Sequence, residues 1–348
     1  MRRIIIRLYV LFMYRLKINE SQIAVGESYR NAAGYIPAGR RVIVITDANI
    51  LKYYGDFLSR WDVIETGIGE QNKTLDAVAA IYRRLLACSA DRSCFILAVG
   101  GGVVCDVAGF AASTFMRGVP FGFVSTSLLS QVDASIGGKN GVNFDGYKNI
   151  AGVFNQPLFV LCDVAMLQTL PEREYISGFA EIVKAAAICS AGLFGYLEEN
   201  VEKALTRDTE VISHLIAESV KIKADVVSLD EREHGVRRIL NFGHTLGHAV
   251  EAVTGIAHGE AVSIGMMFAA RLSAVECGFP QIQMYRLERL LAHFGLPVTA
   301  DAPPLDILQN VFKDKKREKK DINFVLLSDI GKAVIRKLPL IKIKKIFM

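Results

Sequence analysis

The sequence predicts an α/β N-terminal domain built on a parallel sheet, followed by a mainly α-helical C-terminal domain. In the first half, short apolar runs typical of buried strands alternate with helical patterns, which implies a parallel sheet with helices on its faces. After Pro171, apolar residues recur at helical spacing, and long helices run from about Ser177 into the 290s. We therefore expect two domains, residues 1–170 and residues 171–348.

The elements of the first domain follow one another in a regular order. The predicted strands are RVIVIT at 41–46, CFILAVG at 94–100 and VPFGFVST at 119–126. The predicted helices are NKTLDAVAAIYRRLLA at 72–87 and VVCDVAGFAASTF at 103–115. Near the C-terminus, INFVLLSDIGKAVIRKL predicts a hairpin or a strand with a turn at Gly331.

Composition and charge restrict the class of protein. The 348 residues are 51% hydrophobic and 22% charged, and the net charge of +5 is too small to indicate nucleic-acid binding. Six scattered cysteines form no CxxC pair, which predicts reduced thiols in a cytoplasmic protein. The N-terminal run MRRIIIRLYVLFMYRL is interrupted by Arg7 and Arg15 and is too short to span a membrane. We expect an N-terminal strand or a start at Met13 there, and neither a membrane nor a nucleic-acid partner.

A run of three glycines, in AVGGGVVCD at 98–106, lies between a predicted strand and a predicted helix. Glycine lets the backbone approach a ligand closely, and the N-terminus of the following helix attracts phosphate. A tight strand-to-helix turn is the alternative, and the run is not GxGxxG, so the residues alone leave a Rossmann-like dinucleotide site open. Asp47, Glu70 and Lys73 lie upstream, where such a site would use them.

The stretch DASIGGKNGVNFDGYKN at 133–149 has little helical or strand pattern and is rich in glycine, lysine and amide side chains. Lysines in a solvated loop need no ligand, which is the plain alternative. A loop of this composition is costly to order unless it binds something, so we interpret it as an anion-binding loop.

A carboxylate and several histidines are candidates for a metal site. Glu181 and Lys184 lie in the apolar helix SGFAEIVKAAAI, where a buried carboxylate needs a partner, either a metal or the lysine itself. His244 and His248, in HTLGH, share one helix face, although the glutamate of a zinc-protease HExxH is missing. Four of the six histidines (His234, His244, His248 and His258) fall within 25 residues.

These residues predict a metal site drawn from three segments: Glu181, one histidine of HTLGH and His258. Glutamate plus two histidines with an open position is a common catalytic zinc arrangement. HAVEAV ends at Thr254-Gly255, and a new helix starts near His258. Arg237 and Asn241 are expected in the same helical register as His244 and His248, where they would add anion and hydroxyl recognition.

Several motifs together resemble the 3-dehydroquinate synthases, within the sugar phosphate cyclases. They are GGGVVCDVAGF, DASIGGKNGVN, GYKN, TLPERE, FAEIVK, KADVV, LNFGHTLGHAVEA and HGEAV, in order from about residue 40 to 335. The resemblance implies a dehydroquinate synthase-like fold, with an NAD-binding first domain, a zinc- and substrate-binding helical second domain and an active site in the cleft between them. It also implies NAD and Zn²⁺ as cofactors, with Co²⁺ as a substitute, and a cytoplasmic homodimer.

The implied activity is that of a carbon–oxygen lyase of the shikimate pathway, which leads to aromatic amino acids. It converts 3-deoxy-D-arabino-heptulosonate 7-phosphate into 3-dehydroquinate and phosphate. NAD oxidises C5 transiently, phosphate leaves by β-elimination, hydride returns, and ring opening with an intramolecular aldol closure completes the product.

The resemblance also assigns roles to individual residues. It makes Glu181, His244 and His258 the metal ligands and turns His248 towards the substrate. The implied substrate contacts are Arg117, Lys139, Asn149, Lys184, Lys223, Arg237, Asn241 and a lysine of DKK, Lys315 or Lys316. The implied cofactor contacts are Asp47, Glu70, Lys73, Gly101, Gly102, Asp106, Thr126, Ser127, Asp133 and Lys148. Departures from the family pattern are Ser125-Thr126-Ser127 in place of PTT, and Asn155 in place of histidine.

The sequence leaves three alternatives open. A sister cyclase, such as a 2-deoxy-scyllo-inosose or 2-epi-5-epi-valiolone synthase, shares the zinc triad and the NAD fold. A metal-dependent glycerol-type dehydrogenase would release NADH, and a non-catalytic zinc-stabilised protein would do no chemistry. The retained set of Lys223, Arg237, Asn241, His248 and a DKK lysine favours the carboxylate-bearing heptulosonate.

Overall fold

The computed structural model describes residues 13–315, 321–339 and 342, which form two compact units. The first unit contains the described residues up to Pro171 together with Ile212–Ser228. The second contains Glu172–Val211 together with the described residues from Leu229 onwards. The segment Ile212–Ser228, expected in the second domain, therefore belongs to the first unit. The expectations for residues 1–12 fall outside the described residues.

The first unit is built on a seven-stranded sheet in the order β1-β2-β9-β6-β5-β3-β4. Its strands are β1 (Tyr14–Ile18), β2 (Ser21–Val25), β3 (Val42–Asp47), β4 (Asp62–Thr66), β5 (Phe95–Gly100), β6 (Phe121–Ser125) and β9 (Phe159–Cys162). The helices that accompany them are α1 (Ala48–Leu58), α2 (Leu75–Ala87) and α3 (Gly102–Thr114). Every pairing is parallel except that of β1 with β2. The predicted alternation of strands and helices on a parallel sheet is confirmed.

Burial explains why the central strands read as continuous apolar runs. In β5 every residue is buried, because the strand lies inside a sheet with elements on both faces. Val44, Leu97 and Leu161, from three strands, pack in one cluster with Phe57 of α1. The core of the unit therefore lies along the middle of the sheet, and it holds the carboxyl ends of the strands in fixed positions.

The stretch at 133–149 was expected to be an irregular loop, and this expectation is wrong for most of it. Residues Lys139–Phe144 and Tyr147–Phe154 form an antiparallel hairpin, β7 and β8. Asp145 and Gly146 form its turn with positive φ angles of 52° and 80°. Asp-Gly is the residue pair that favours such a turn between strands, so the signal was present but was hidden by the polar composition of the flanking residues.

The second unit is mainly helical and ends in a hairpin. Its helices are α4 (Glu172–Cys189), α5 (Ala191–Leu205), α7 (His244–Thr254), α8 (His258–Cys277), α9 (Gln281–His293) and α10 (Pro304–Lys315). Helix α6 (Thr209–Leu229) lies mostly in the first unit, which contains its residues Ile212–Ser228. Strands β10 (Asp321–Asp329) and β11 (Lys332–Pro339) pair on either side of Gly331, whose φ is 83°. The hairpin predicted there, the end of α7 at Thr254 and the start of α8 at His258 are confirmed.

The core of the second unit joins α7, α8, α10 and the terminal hairpin. Val250, Phe268, Val311 and Phe324 lie in one buried cluster. All six cysteines are free thiols. Among the described residues, no helix combines the length and apolar character needed to cross a bilayer.

Candidate functional site

Helices α7 and α8 approach each other closely through glycines. Gly247 faces α8, where a Cβ atom would lie only 3.0 Å from the carbonyl oxygen of Ala261. Gly243 precedes α7 with a φ of 79°, and a Cβ there would lie 2.8 Å from the carbonyl oxygen of Val262. The glycine inside HTLGH therefore has a packing role, because it brings the histidine-bearing end of α7 against the start of α8.

This close approach brings three potential metal ligands together. The rings of His244 and His258 have their centroids 5.4 Å apart. From α4, Glu181 places Oε1 3.6 Å from Nε2 of His244 and 3.5 Å from Nε2 of His258. One ligand atom from each residue lies within 4.8 Å of the others. The three segments predicted to converge do so within the second unit.

The distances in this triad fit a tetrahedral metal site. Zinc bonds of about 2.1 Å separate neighbouring tetrahedral ligand atoms by about 3.4 Å. The two N···O distances of 3.5 and 3.6 Å are close to this value and long for hydrogen bonds. The Glu181 side chain is 1% exposed, and neither of its oxygens makes a hydrogen bond of normal geometry. A buried carboxylate needs a compensating charge, so a divalent cation suits this donor set.

Lys184 supplies part of that charge from one turn along α4. Its ammonium group forms a buried ion pair with Oε2 of Glu181, which leaves Oε1 facing the histidines. Burial alone would raise the pKa of Glu181, but the charge of Lys184, the strongest of the opposing causes, helps to hold it well below its usual range. The carboxylate is therefore ionised and ready to bind a cation.

The two imidazoles of the triad differ in protonation. Burial, together with the charge of Lys184, lowers the pKa of His244 to about 3, so its ring is neutral and offers a lone pair. Burial also disfavours the charged form of His258, but the neighbouring carboxylates of Glu181 and Glu251 outweigh it and raise that pKa to about 9. A cation that binds between these groups displaces the proton of His258, as metal ions generally do at their ligands.

His248 lies beside the triad and is exposed to solvent. Its ring centroid is 5.3 Å from that of His244 and 6.0 Å from that of His258. It is not among the three residues whose ligand atoms converge. The arrangement therefore separates the two histidines of HTLGH: one points a nitrogen at Glu181, and the other has access to solvent.

Side chains on successive turns of α4 hold the start of α8 beside the triad. Arg173 makes two hydrogen bonds of 2.8 Å to the carboxylate of Glu260, which also accepts the amide of Ala257. One turn further, Ser177 Oγ accepts the amide hydrogen of Gly259 at 3.1 Å. Glu181 follows after another turn. Successive turns of α4 therefore fix Glu260, Gly259 and finally His258.

Gly259→Ala is expected to destabilise the protein by about 1–3 kcal/mol and to disturb metal binding. The added Cβ would overlap the backbone carbonyl of Ser177, which cannot move without moving Glu181. Gly195→Ala is the matched control, because it lies inside α5 with nothing within 4 Å of the new Cβ. The control should be neutral or slightly stabilising. Urea unfolding of both variants measures the difference, and equal stabilities would contradict the proposed close contact.

The expected register of Arg237 and Asn241 with the histidines is wrong. They lie in a separate 3₁₀ turn, Val236–Asn241, and Gly243 in a left-handed conformation separates this turn from α7. A helix cannot continue through that conformation. Arg237 is buried and donates to the carbonyl of Glu231, while Asn241 donates to the carboxylate of Glu233.

Two acidic residues near the site were not predicted from the sequence. Glu233 contacts Asn241, and Glu251 lies 3.4 Å from Nδ1 of His258. Glu233 stands in polar sequence, and Glu251 lies on an amphipathic helix; at either kind of position a glutamate is usually a solvated surface charge. The spacing of seven residues from His244 to Glu251, which is two helical turns, was the available signal for the second.

The first unit brings several predicted cofactor residues to one edge of its sheet. Strands β3 and β5 are neighbours, but the chain leaves them in opposite directions across the sheet, so a topological switch point lies at their carboxyl ends. Ligands of open α/β sheets bind at such points. Asp47 ends β3 and caps α1, and Gly101 precedes α3, which has no side-chain cap. Thr126 and Ser127 follow the neighbouring strand β6.

The open amides at the start of α3 suit a phosphate group. Gly101 has only the side chain of Ser127 near its missing Cβ, with Oγ at 3.3 Å. A Cβ on Gly102 would lie 3.0 Å from that of Ala134, so a larger residue there would crowd Ala134. Backbone donors without a cap and with glycine access form a common phosphate site. The residues present therefore fit a dinucleotide.

Polar pairs connect the remaining predicted residues of this unit. Lys73 and Asp106 form a buried ion pair. Glu70 accepts a hydrogen bond from Asn143 at 2.8 Å, and the amide of Asn149 donates to Asn143 Oδ1 at 2.8 Å. Burial raises the pKa of Asp106, and the charge of Lys73 opposes this rise.

Lys73→Met is expected to lower the free energy of unfolding by about 3–5 kcal/mol, because it leaves a buried carboxylate unpaired. The pKa of Asp106 would rise further, so the folded state would bind its proton more tightly than the unfolded state does. Stability should then fall as pH rises above about 3.9, the pKa of an unfolded aspartate.

Denaturant unfolding from pH 4 to 8 measures this effect. Lys17→Met is the matched control, since Lys17 pairs with Glu20 on the surface and contributes about 0–1 kcal/mol. The double variant Lys73→Met with Asp106→Leu should recover most of the lost stability. A Lys73→Met protein as stable as its parent at pH 8 would disprove the energetic role of the pair.

The other predicted residues of the first unit lie in three places. Lys223 donates to the carboxylate and the carbonyl of Asp133 at 2.6 and 2.7 Å, which joins α6 to the Ser130–Ala134 turn. Lys139 and Lys148 are exposed on the β7–β8 hairpin. Arg117 lies beyond the C-terminus of α3, about 20 Å along that helix from Gly102, and is therefore separated from the glycine turn.

The DKK motif lies at the end of the described part of helix α10. Helix α10 ends at Lys315, and Lys316 lies outside the described residues.

Two family models match consecutive parts of the chain. The model described as 3-dehydroquinate synthase N-terminal matches residues 63–177, and the model described as 3-dehydroquinate synthase C-terminal matches residues 178–317. A curated 3-dehydroquinate synthase of Dehalococcoides mccartyi is 47% identical over 307 residues, which cover 85% of this chain and 85% of the relative.

Solved structures of two other enzymes share the fold. A 2-deoxy-scyllo-inosose synthase complexed with carbaglucose-6-phosphate, NAD⁺ and Co²⁺ has a TM-score of 0.87 and 27% identity, with 96% of this chain and 99% of that chain covered. A 2-epi-5-epi-valiolone synthase of Streptomyces hygroscopicus subsp. jinggangensis with NAD⁺ and Zn²⁺ bound has a TM-score of 0.85 and 25% identity, with 96% of each chain covered.

Proposed function

Because this chain belongs to the 3-dehydroquinate synthase family, we propose that it converts 3-deoxy-D-arabino-heptulosonate 7-phosphate into 3-dehydroquinate and inorganic phosphate. The resemblance inferred from the motifs is confirmed by the matches to both family models and to the curated relative. The observation that carries the proposal is the convergence of Glu181, His244 and His258, since the reaction needs a cation beside the sugar hydroxyls.

We assign the divalent cation to Glu181, His244 and His258. When bound, it would act as a Lewis acid towards the hydroxyl and carbonyl groups of the sugar. Lys184 holds Oε2 of Glu181 and so presents Oε1 to the cation. The neutral ring of His244 supplies a lone pair without first losing a proton.

We assign NAD to the carboxyl edge of the first sheet. Bound there, NAD would supply reversible hydride transfer, which makes the net reaction a lyase's and not an oxidation. Gly101 and Gly102 would take the pyrophosphate at the uncapped start of α3, and Asp47 lies at the end of the adjacent strand. Glu70 and the Lys73–Asp106 pair complete this group.

The substrate carries a phosphate and a carboxylate, and we assign them to the cations of the predicted set. Lys184, Lys223 and Arg237 are 2%, 8% and 2% exposed, so each ammonium or guanidinium group is poorly hydrated. A poorly hydrated cation attracts an incoming anion more strongly than a surface cation does. Lys139 and Asn149 of the hairpin, with Arg117, are the remaining proposed contacts of the phosphate.

His248 is the proposed proton carrier for the sugar hydroxyls. It is exposed and lies beside the triad without belonging to it. Imidazole both gives and takes protons near neutral pH. A proton removed from a hydroxyl at the cation would therefore pass to this ring and then to solvent.

The test of the proposal is an assay with the heptulosonate phosphate, NAD and Zn²⁺ that follows inorganic phosphate and 3-dehydroquinate separately. We expect one dehydroquinate per phosphate and no accumulation of NADH. A hexose 6-phosphate, chosen to match the carbaglucose-6-phosphate of the structural neighbour, is the second substrate. Turnover of this substrate alone would indicate a sister cyclase, and net NADH would indicate a dehydrogenase.

We further propose that the protein is a cytoplasmic homodimer. Family membership supports the dimer, and six free thiols are typical of a reducing compartment. Sedimentation equilibrium measures the oligomeric state directly, and a monomer at micromolar concentration would contradict it.

A further inference from the structure

The ring of His258 lies between two carboxylates, one at each nitrogen. Its Nε2 is 3.5 Å from Oε1 of Glu181, and its Nδ1 is 3.4 Å from Oε2 of Glu251. The Glu251 side chain is 13% exposed, so this carboxylate is largely withdrawn from solvent. Neither the sequence motifs nor the predicted roles gave Glu251 a function.

Glu251 is placed by the same helix that bears another ligand. It follows His244 by seven residues in α7, so the two lie on one face, two turns apart. His258 opens α8, which packs against α7 through Gly247 and Ala261. A single helix therefore presents His244 to the triad and Glu251 to the far side of His258.

The two histidines of the triad are oriented by different kinds of group. Nδ1 of His244 lies 3.2 Å from the backbone carbonyl of Phe242, a neutral acceptor. Nδ1 of His258 faces a carboxylate instead. A neutral imidazole has one N–H and one lone pair, so a lone pair at Nε2 requires the proton at Nδ1. An acceptor at Nδ1 thereby selects the tautomer that can bind a metal.

We propose that Glu251 is a positioning residue that fixes the ring of His258 with Nε2 towards the cation and strengthens the cation's binding. The inference rests on the proposed metal site and does not depend on which sugar phosphate is the substrate. A charged acceptor makes the imidazole a stronger electron donor than a carbonyl does, and loss of such a partner costs about 10–100-fold in metal affinity.

The test compares Glu251→Ala, Glu251→Gln and the parent protein in competition titrations of Zn²⁺ against a chromophoric chelator. We expect zinc affinity to fall about 10–100-fold for the alanine variant and less for glutamine, which keeps an acceptor but loses the charge. Co²⁺-loaded proteins should show altered visible absorption in the same order, because the geometry at the metal changes. Glu199→Gln is the matched control, since Glu199 is exposed on α5, which bears no ligand.

The possible outcomes distinguish failure of the metal site from failure of the role of Glu251. A parent that binds neither ion overturns the metal site itself, and with it the proposed function. A parent that binds zinc, beside an alanine variant of equal affinity and unchanged Co²⁺ spectrum, overturns the role of Glu251 alone. Unfolding of the metal-free proteins above about pH 9, where the ring of His258 is neutral and its ion pair with Glu251 is absent, separates positioning from general stability, because a role limited to orienting the ring then leaves their unfolding midpoints equal. If the alanine variant does not fold, the zinc affinity of the glutamine variant decides, and an affinity equal to that of the parent overturns the role.

Discussion

His258→Ala is expected to abolish turnover and to weaken zinc binding by more than the about 10–100-fold that accompanies loss of an orienting partner. The substitution removes one of the three proposed ligands and leaves the Glu181 carboxylate, 1% exposed, paired with Lys184 beside the neutral ring of His244. Two protein ligands do not hold catalytic zinc, which normally has three and an open position. The loss of activity should therefore follow the loss of metal.

Metal analysis after dialysis, together with the phosphate-release assay, measures both effects in one preparation. His293→Ala is the matched control, since His293 is an exposed histidine at the end of α9. The control should retain one zinc per chain and full activity. A His258→Ala protein with stoichiometric zinc would contradict the assignment of this ligand.

His248→Ala is expected to keep its metal and to lower kcat by about 10²–10⁴-fold, the usual contribution of a general acid or base. His248 lies beside the triad, but its nitrogens do not converge with the other ligand atoms. Its exposure leaves the ring accessible to substrate and solvent. Because the residue would act on bound substrate, KM should change less than kcat.

Steady-state kinetics and zinc content of the purified variant together show whether His248 acts on the substrate or binds the metal. His244→Ala serves for comparison, because it should lose both metal and activity. If His248→Ala lost its zinc while His244→Ala kept it, the two histidines of HTLGH would have exchanged roles.

The parallel sheet was predictable because its central strands are buried on both faces. RVIVIT and CFILAVG became β3 and β5 with small shifts at their ends, and the turn at Gly331 was predictable from glycine alone. The β7–β8 hairpin was not predicted, because its strands contain glycine, lysine and asparagine, residues that disfavour strands unless tertiary packing compensates.

In the candidate site, the sequence predicted which three residues converge but not the groups that support them. Histidines and a buried glutamate are rare enough to attract attention, and the family motifs identify them. Glu251 looks like an ordinary surface residue of an amphipathic helix, and its partner His258 is reached only after a turn. The break at Gly243 was also hidden, because Arg237 to His248 keeps helical spacing although the backbone does not.

The triad and the groups facing its rings, Glu251 and the carbonyl of Phe242, all come from the second unit. The proposed chelating groups therefore lie within one unit, and we expect the ion to load without the dinucleotide. Coupling between two binding sites is reciprocal, so if bound NAD does not change the affinity for zinc, bound zinc does not change the affinity for NAD. An enzyme stripped by a chelator should retain its nucleotide at full strength and recover when the ion alone is returned.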